Sequence, residues 1–227
     1  MARTQTLSSG PSHTHEKRGL GTGILLVLIV LCAIVEAILI LADFGVLLQD
    51  RLRLLAYEYG GFWPGLLTNW QPNYDAQPYL MFLTYSFLHS GFLHLIVNMI
   101  TLWSLGVAVI VRVGVKGFCI LYVLSILGGA QGYALLADGL QPMVGASGAL
   151  FGLAGGLLAW MYVDRFTFQQ GLLPVAQAVA LLILLNVILW WAMSGQLAWQ
   201  THLGGFVAGW IVALLVDPRP TDHSRFF

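Results

Sequence analysis

Long apolar runs alternate with short charged stretches along this chain, and the distances between charges predict where helices form. A helix that crosses the hydrocarbon of a bilayer needs about 20 mostly apolar residues. Gly19 to Ala42 is such a run, interrupted only by Glu36. No charge occurs from Ala76 to Val111, which accommodates a loop entry and a helix from about Gly91 to Val111. Gly117 to Ala137 and Gly139 to Val163 are further uncharged runs. The latter opens with the loop-like Gly139-Leu140-Gln141-Pro142 before a helix that starts near Ser147. Phe166 to Val216 is too long for one crossing, and Ser194-Gly195-Gln196 supplies a turn within it. Two helices fit there, so the pattern predicts six.

Composition turns that pattern into a statement about solvent. Of 227 residues, 58% are hydrophobic and only 9% charged, against roughly a quarter charged in an ordinary soluble domain. Ten Lys and Arg balance ten Asp and Glu, which excludes a basic nucleic-acid binder and an acidic tail. The expected class is an all-α membrane protein whose solvent is the lipid bilayer. Lys and Arg favour cytoplasmic flanks. With the N-terminus inside, that side holds Arg3, Lys17, Arg18, Arg112, Lys116, Arg165, Arg219 and Arg225, and the outside only Arg51 and Arg53.

The expected organisation is a disordered cytoplasmic tail over 1–19, a six-helix membrane domain over 20–217 and a cytoplasmic tail over 218–227. The first apolar run is too long for a signal-peptide core and no A-x-A-like cleavage site follows, so it reads as an anchor. The segment from about Phe44 to Tyr79 reads as a partly helical, interfacial outer loop. Cys32 and Cys119 lie in apolar runs without ligand spacing and read as packing residues.

Polar groups inside membrane helices are expensive and therefore informative. His94 and Asn98, four apart, share one face of the second helix. His202 sits near the outer start of the sixth helix, and Ser147 begins the fourth within Gly145-Ala146-Ser147-Gly148. Counting from the cytoplasmic charges Arg112, Asp217 and Asp164, Asn98, His202 and Ser147 lie about 21, 22 and 26 Å up their helices at 1.5 Å per residue. Three helices thus place polar groups at one level in the outer half of the bilayer. A serine hydroxyl becomes a nucleophile when a neighbouring base takes its proton, and His202 is the membrane histidine placed to do so. His94, Asn98 and the Ser147 backbone N–H then serve as donors to an oxyanion. No carboxylate lies at that depth on these three helices, so the reading is a Ser-His dyad. Taken alone, the spacings Gly148/Gly152 and Gly205/Gly209 mean close helix packing. Here packing and chemistry are compatible, because small residues let the fourth and sixth helices approach.

Gly145-Ala146-Ser147-Gly148 with Phe151-Gly152, His202-Leu203-Gly204-Gly205 with Gly209, and His89 followed by His94 and Asn98 together resemble the rhomboid family of intramembrane serine proteases. The resemblance runs from about Phe82 to Trp210, in the family's order, and the layout looks like the compact six-helix bacterial form. It implies Ser147 as nucleophile, His202 as base, His94 and Asn98 as oxyanion side chains, and Phe151 as the aromatic beneath the histidine. His89 reads as structural, since five residues before His94 it is turned off that face. The resemblance further implies cleavage of transmembrane segments of other membrane proteins near small residues. Substrates would enter laterally beside the fifth helix, whose outer end carries Trp190, Trp191 and Met193. No metal or cofactor is implied, and the expected location is a bacterial inner membrane. His202 must be neutral to accept a proton, so activity is expected to fall in acid.

The sequence departs from the family in places. Gln77-Pro78-Tyr79-Leu80-Met81 stands where many members carry Trp-Arg in the outer loop. Ile110 stands where a glutamate is common, and Thr201 where alanine is. Glu36 matches no family motif and reads as paired or protonated, in a structural or substrate-edge role. Two other function classes stay open at this point: a rhomboid-like protein that binds membrane helices without cutting them, and a small-solute transporter. The sequence keeps both serine and histidine, and shows no repeat symmetry of the transporter kind.

Overall fold

In lipid the backbone must satisfy its own hydrogen bonds, which selects helices for a chain this apolar. The computed structural model describes residues 12–47, 51–137 and 141–217, with side chains from residue 20 onward. Seven α-helices occur among these residues: α1 (Ser12–Asp43), α2 (Leu52–Gly60), α3 (Gln77–Thr84), α4 (Phe92–Leu136), α5 (Ser147–Thr167), α6 (Leu173–Ala192) and α7 (Trp199–Val216). Among the described residues, four helical segments are long and apolar enough to cross a membrane: Leu20–Asp43 of α1, and α4, α6 and α7. The first turns of α1 lie within the stretch read from the sequence as the N-terminal tail. Residues 1–11 and 218–227, the remainder of the two tails, lie outside the described residues.

The second and third predicted helices form one 45-residue element, α4, broken at Gly114. Gly114 has φ 74° and ψ 179°, a left-handed position that glycine adopts at little cost. Both ends of α4 lie on one side of the bundle. His94, near its start, borders Gly145, and Tyr133, near its end, donates its hydroxyl to the Gln141 carbonyl at 3.2 Å. Arg112, beside the break, reaches the far ends of α5 and α7 instead. It pairs with Asp164 at 2.9 Å and approaches Asp217 at 3.7 Å, and its guanidinium lies 5.1 Å from the Trp160 ring. The element is therefore a helical hairpin with arms 92–113 and 115–136.

Glycine sets the centre of the bundle. A Cβ on Gly205 of α7 would overlap the Gly148 carbonyl of α5, and one on Gly209 would overlap that of Gly152. Gly128 and Gly132 on α4 similarly abut Gly204 and Ala208 on α7. Small residues at these crossings bring the helix backbones together, where close packing replaces the hydrophobic driving force that lipid does not supply.

The segment joining α1 to α4 contains α2, α3 and two 3₁₀ turns, in line with the partly helical loop expected there. Its anchors are polar and buried. Glu36 of α1 is fully buried and accepts from Arg53 of α2 at both oxygens, 2.9 and 3.2 Å away. Arg53 also donates to Asp43 at 2.7 Å and to the His89 carbonyl at 3.0 Å. Glu36 is thus paired, and the pair ties α1 to this segment. Gln77, standing where Trp-Arg is common, is fully buried, donates to the Glu58 carbonyl and accepts from the Asn73 backbone, each at 2.7 Å. One backbone bridge, Phe62 to Met143, joins the segment to the chain just before α5.

Candidate active site

The stretch entering α5 is held before Ser147 is placed. Met143 exchanges two backbone hydrogen bonds of 3.0 Å with Phe62, and Gly145 N–H donates to the Tyr85 carbonyl at 2.9 Å. Tyr85 is itself fixed, its buried hydroxyl donating to the Ile126 carbonyl at 2.8 Å. Gly145 has φ 125°, a conformation that disfavours side chains. A Cβ there would also lie 2.8 Å from His94 Cε1 and 3.0 Å from His94 Nε2. Glycine at 145 therefore serves the backbone turn and leaves room for the His94 ring.

Ser147 is the first residue of α5. The opening N–H groups of a helix lack intrahelical partners and carry the positive end of its dipole. Ser147 Oγ lies 2.8 Å from His202 Nε2. A hydroxyl and an imidazole nitrogen at that separation can pass a proton between them. The imidazole is stacked on Phe151, one turn along α5, at 4.2 Å between ring centres and 7° between planes. Thus α5 supplies both the hydroxyl and the platform for the ring, and α7 supplies the ring.

The structure brings His94 to the same place from α4, its ring edge against Gly145. His94 Nδ1 is engaged by the Ser90 hydroxyl at 2.9 Å, which orients the ring. Asn98 is buried one turn further along, with Nδ2 donating to the His94 carbonyl at 2.8 Å. His89 is fully buried before α4 begins and meets the His94 ring edge-on at 5.2 Å. Burial, with the neighbouring His94 adding to it, pushes the His89 imidazole down to about 4. It is therefore neutral at ordinary pH, which suits a packing role.

One contact has no counterpart among the residues singled out from sequence. Asn186 of α6 faces His202 Nδ1 with its Oδ1 at 2.6 Å. Gln177 and Asn186 are the two amide side chains within the otherwise apolar α6, and an amide in the middle of such a helix is the signal that points to Asn186. Beside this contact an apolar fissure of about 470 Å³ opens between α6 and α7, lined by Ile183, Val187, Trp190, Trp199, Leu203 and Phe206 among others. Val175 is the one buried residue of α6, and Trp190, Trp191 and Met193 at its end are all exposed.

Comparison with known proteins places the chain in a family. Residues 76–219 match the rhomboid domain. RHOMBOID-like protein 5 of Arabidopsis thaliana is 35% identical over 134 residues, 59% of this chain and 42% of that relative. Rhomboid protease GluP of Bacillus subtilis is 32% identical over 131 residues, 58% of the chain and 25% of the relative. Rhomboid-like protease 3 of Toxoplasma gondii is 30% identical over 144 residues, 62% of the chain and 53% of the relative. The chain spans from a quarter to about half the length of these relatives, and the likeness is not confined to bacteria. The matched region contains α3 to α7 with Ser147, His202, His94, Asn98, Phe151 and Asn186, and the chain belongs to the rhomboid family.

Proposed function

We propose that the protein is an intramembrane serine endopeptidase that cuts transmembrane segments of other membrane proteins with a Ser147–His202 dyad. The observation that carries this reading is the 2.8 Å contact between Ser147 Oγ and His202 Nε2, with the imidazole stacked on Phe151. In the proposed reaction Ser147 Oγ attacks the scissile carbonyl while His202 Nε2 takes its proton. The oxyanion is held by the Ser147 backbone N–H at the start of α5 and by His94 and Asn98. His202 returns the proton to the leaving amine as the C–N bond breaks, which leaves an acyl-serine. Water, deprotonated by His202, then releases the acid and restores the hydroxyl.

Counting each arm of α4 with α1, α5, α6 and α7 gives six crossings. The excess of Lys and Arg favours both termini on the cytoplasmic side, with the dyad toward the outer face. Substrate reaches it beside α6. A substrate helix hides its carbonyls in internal hydrogen bonds, so residues of weak helix propensity near the cut favour cleavage.

A serine-reactive fluorophosphonate tests the reading in reconstituted protein. Wild type is expected to label, and Ser147→Ala and His202→Ala are not. Equal labelling of wild type and Ser147→Ala would overturn the assignment, and absence of labelling in folded wild type would favour a non-catalytic helix binder.

A further inference from the structure

The amide of Asn186 is engaged at both ends. Its Nδ2 donates to the Leu182 carbonyl one turn back at 2.9 Å, and its Oδ1 lies 2.6 Å from His202 Nδ1. The Leu182 carbonyl can only accept, so the NH2 end must be the one turned toward it. That leaves the amide oxygen, also only an acceptor, facing the imidazole. Nδ1 must then carry the ring proton. A neutral imidazole protonated on Nδ1 has its lone pair on Nε2, the nitrogen 2.8 Å from Ser147 Oγ. The opposite tautomer would set a lone pair against Asn186 Oδ1 and an N–H against the serine, with no lone pair left to receive its proton.

We propose that Asn186 is a positioning residue, which selects the His202 tautomer able to act as base and fixes the plane of the ring. The proposal rests on the Ser147–His202 reading above. Phe151 restrains tilt by stacking on the ring face. Stacking leaves rotation within the ring plane free, and the bond to Nδ1 removes that freedom. When His202 takes the serine proton, both ring nitrogens are donors, and Asn186 Oδ1 still faces Nδ1–H. The amide dipole stabilises the imidazolium there without adding a charge to the membrane interior.

The placement of Asn186 suggests a second role to be separated from this one. Helix α6 borders a fissure and has little buried surface, so the same hydrogen bond could serve only to latch α6 beside the site. The two roles predict opposite results. A latch, once cut, gives a bulky substrate easier access and leaves reaction with a small probe unchanged. A lost positioning bond slows both, because misplacing a reacting group by about 1 Å costs on the order of 10²-fold.

The experiment uses the full chain in proteoliposomes, as wild type, Asn186→Leu and Asn186→Asp. Leucine suits an apolar helix, and aspartate keeps an acceptor oxygen at the same position. Fluorophosphonate labelling rate is measured alongside kcat and KM for a single-span substrate. Labelling rate and kcat are expected to fall together in Asn186→Leu, by about 10- to 100-fold with KM within about twofold, and to recover most of the way in Asn186→Asp. In ¹⁵N-histidine spectra, with the His202 signal identified by its loss in His202→Ala, wild type should show Nδ1 protonated and Nε2 bare. The Asn186→Leu variant should show this tautomer depleted.

Wild-type labelling by Asn186→Leu, faster cleavage by it, or an unchanged tautomer would overturn the proposal. Failure of aspartate to restore labelling in protein of wild-type thermal stability would do the same. Such results would leave the dyad standing as long as labelling of wild type is lost in Ser147→Ala. Persistence of labelling in Ser147→Ala would remove the dyad itself.

Discussion

Helices α5 and α7 meet along facing glycines whose hydrogens are all that separates one backbone from the other. Helix α6, in contrast, borders a fissure of about 470 Å³ and has a single buried residue. The pair α5 and α7 holds Ser147, Phe151 and His202, and α6 contributes the Asn186 amide beside His202. The contrast teaches how one site can be both exact and accessible. Ser147 and His202 stand where the backbone has no room to shift, and the fissure beside them is bordered by a helix that the bundle does not grip.

Breaking the tight side should have the largest effect. Gly205→Leu places a side chain into the Gly148 carbonyl, and the overlap can be relieved only by separating α5 from α7. Overpacking of this kind costs about 1–3 kcal/mol or more, and cleavage is expected to fall at least about 10²-fold as the Ser147–His202 contact opens. Cleavage rate and thermal stability in detergent check this; near-normal activity would show that the seam is not what positions the pair. Gly145→Ala acts more locally, since its methyl meets the His94 ring. A loss of about 10²-fold in kcat is expected if His94 is an oxyanion donor, with KM little changed.

The polar anchors of the segment between α1 and α4 sharpen the comparison from outside the site. Arg53→Ala leaves Glu36 buried without its partner, and breaking such a pair costs about 3–5 kcal/mol. Its effect should be on melting temperature first and on cleavage second. Glu36→Gln keeps the shape while removing the charge, and wild-type cleavage rates from it would exclude a chemical role for the carboxylate.

Acid should act on activity and stability through different histidines. Cleavage is expected to fall in acid as His202 becomes protonated, and a cleavage rate that does not fall with acid down to the pH at which the protein unfolds would contradict its role as base. His89 titrates near 6.5 when unfolded and near 4 when buried. Its contribution to stability is therefore complete above the first value and lost as pH falls through the window toward the second. A melting temperature that drops in that window, and drops less in His89→Gln, checks this. The smallest effect belongs to the loose side. Ile183→Ala on the exposed face of α6 should leave stability within about 0.5 kcal/mol, and any change in cleavage should appear in KM.

Much of this was legible in the sequence because charge and depth are coupled in a membrane. Arg112, Asp164 and Asp217, the separate origins from which depths were counted, meet in one cluster. Residues at similar distances from them on α4, α5 and α7 consequently fall in one layer, and the 2.8 Å contact between Ser147 and His202 lies in it. The facing glycines were visible as two G-x-x-x-G spacings for the same reason, since close crossings leave little choice of residue.

What the sequence concealed depends on partners that spacing does not reveal. Glu36 and Arg53 pair between a long apolar helix and a short helix in the following segment, across a turn whose geometry no periodicity encodes. Gln77 takes over an anchoring position by hydrogen bonds to Glu58 and Asn73 that only the folded segment brings near. Asn186 has no polar residue one turn away on its helix, as Asn98 has in His94, and a lone amide changes a hydropathy profile little. The break at Gly114, by contrast, falls between Arg112 and Lys116, the charges that mark the ends of two helices in the sequence.

In the function proposed above, Ser147 cuts peptide bonds within a membrane. The direct measurement is cleavage of a single-span substrate, carrying small helix-weak residues in its outer half, by wild type and Ser147→Ala in proteoliposomes, with products identified by mass. Two products from one cut inside the span, formed by wild type and absent with Ser147→Ala, are predicted. Identical products from both proteins would contradict the account.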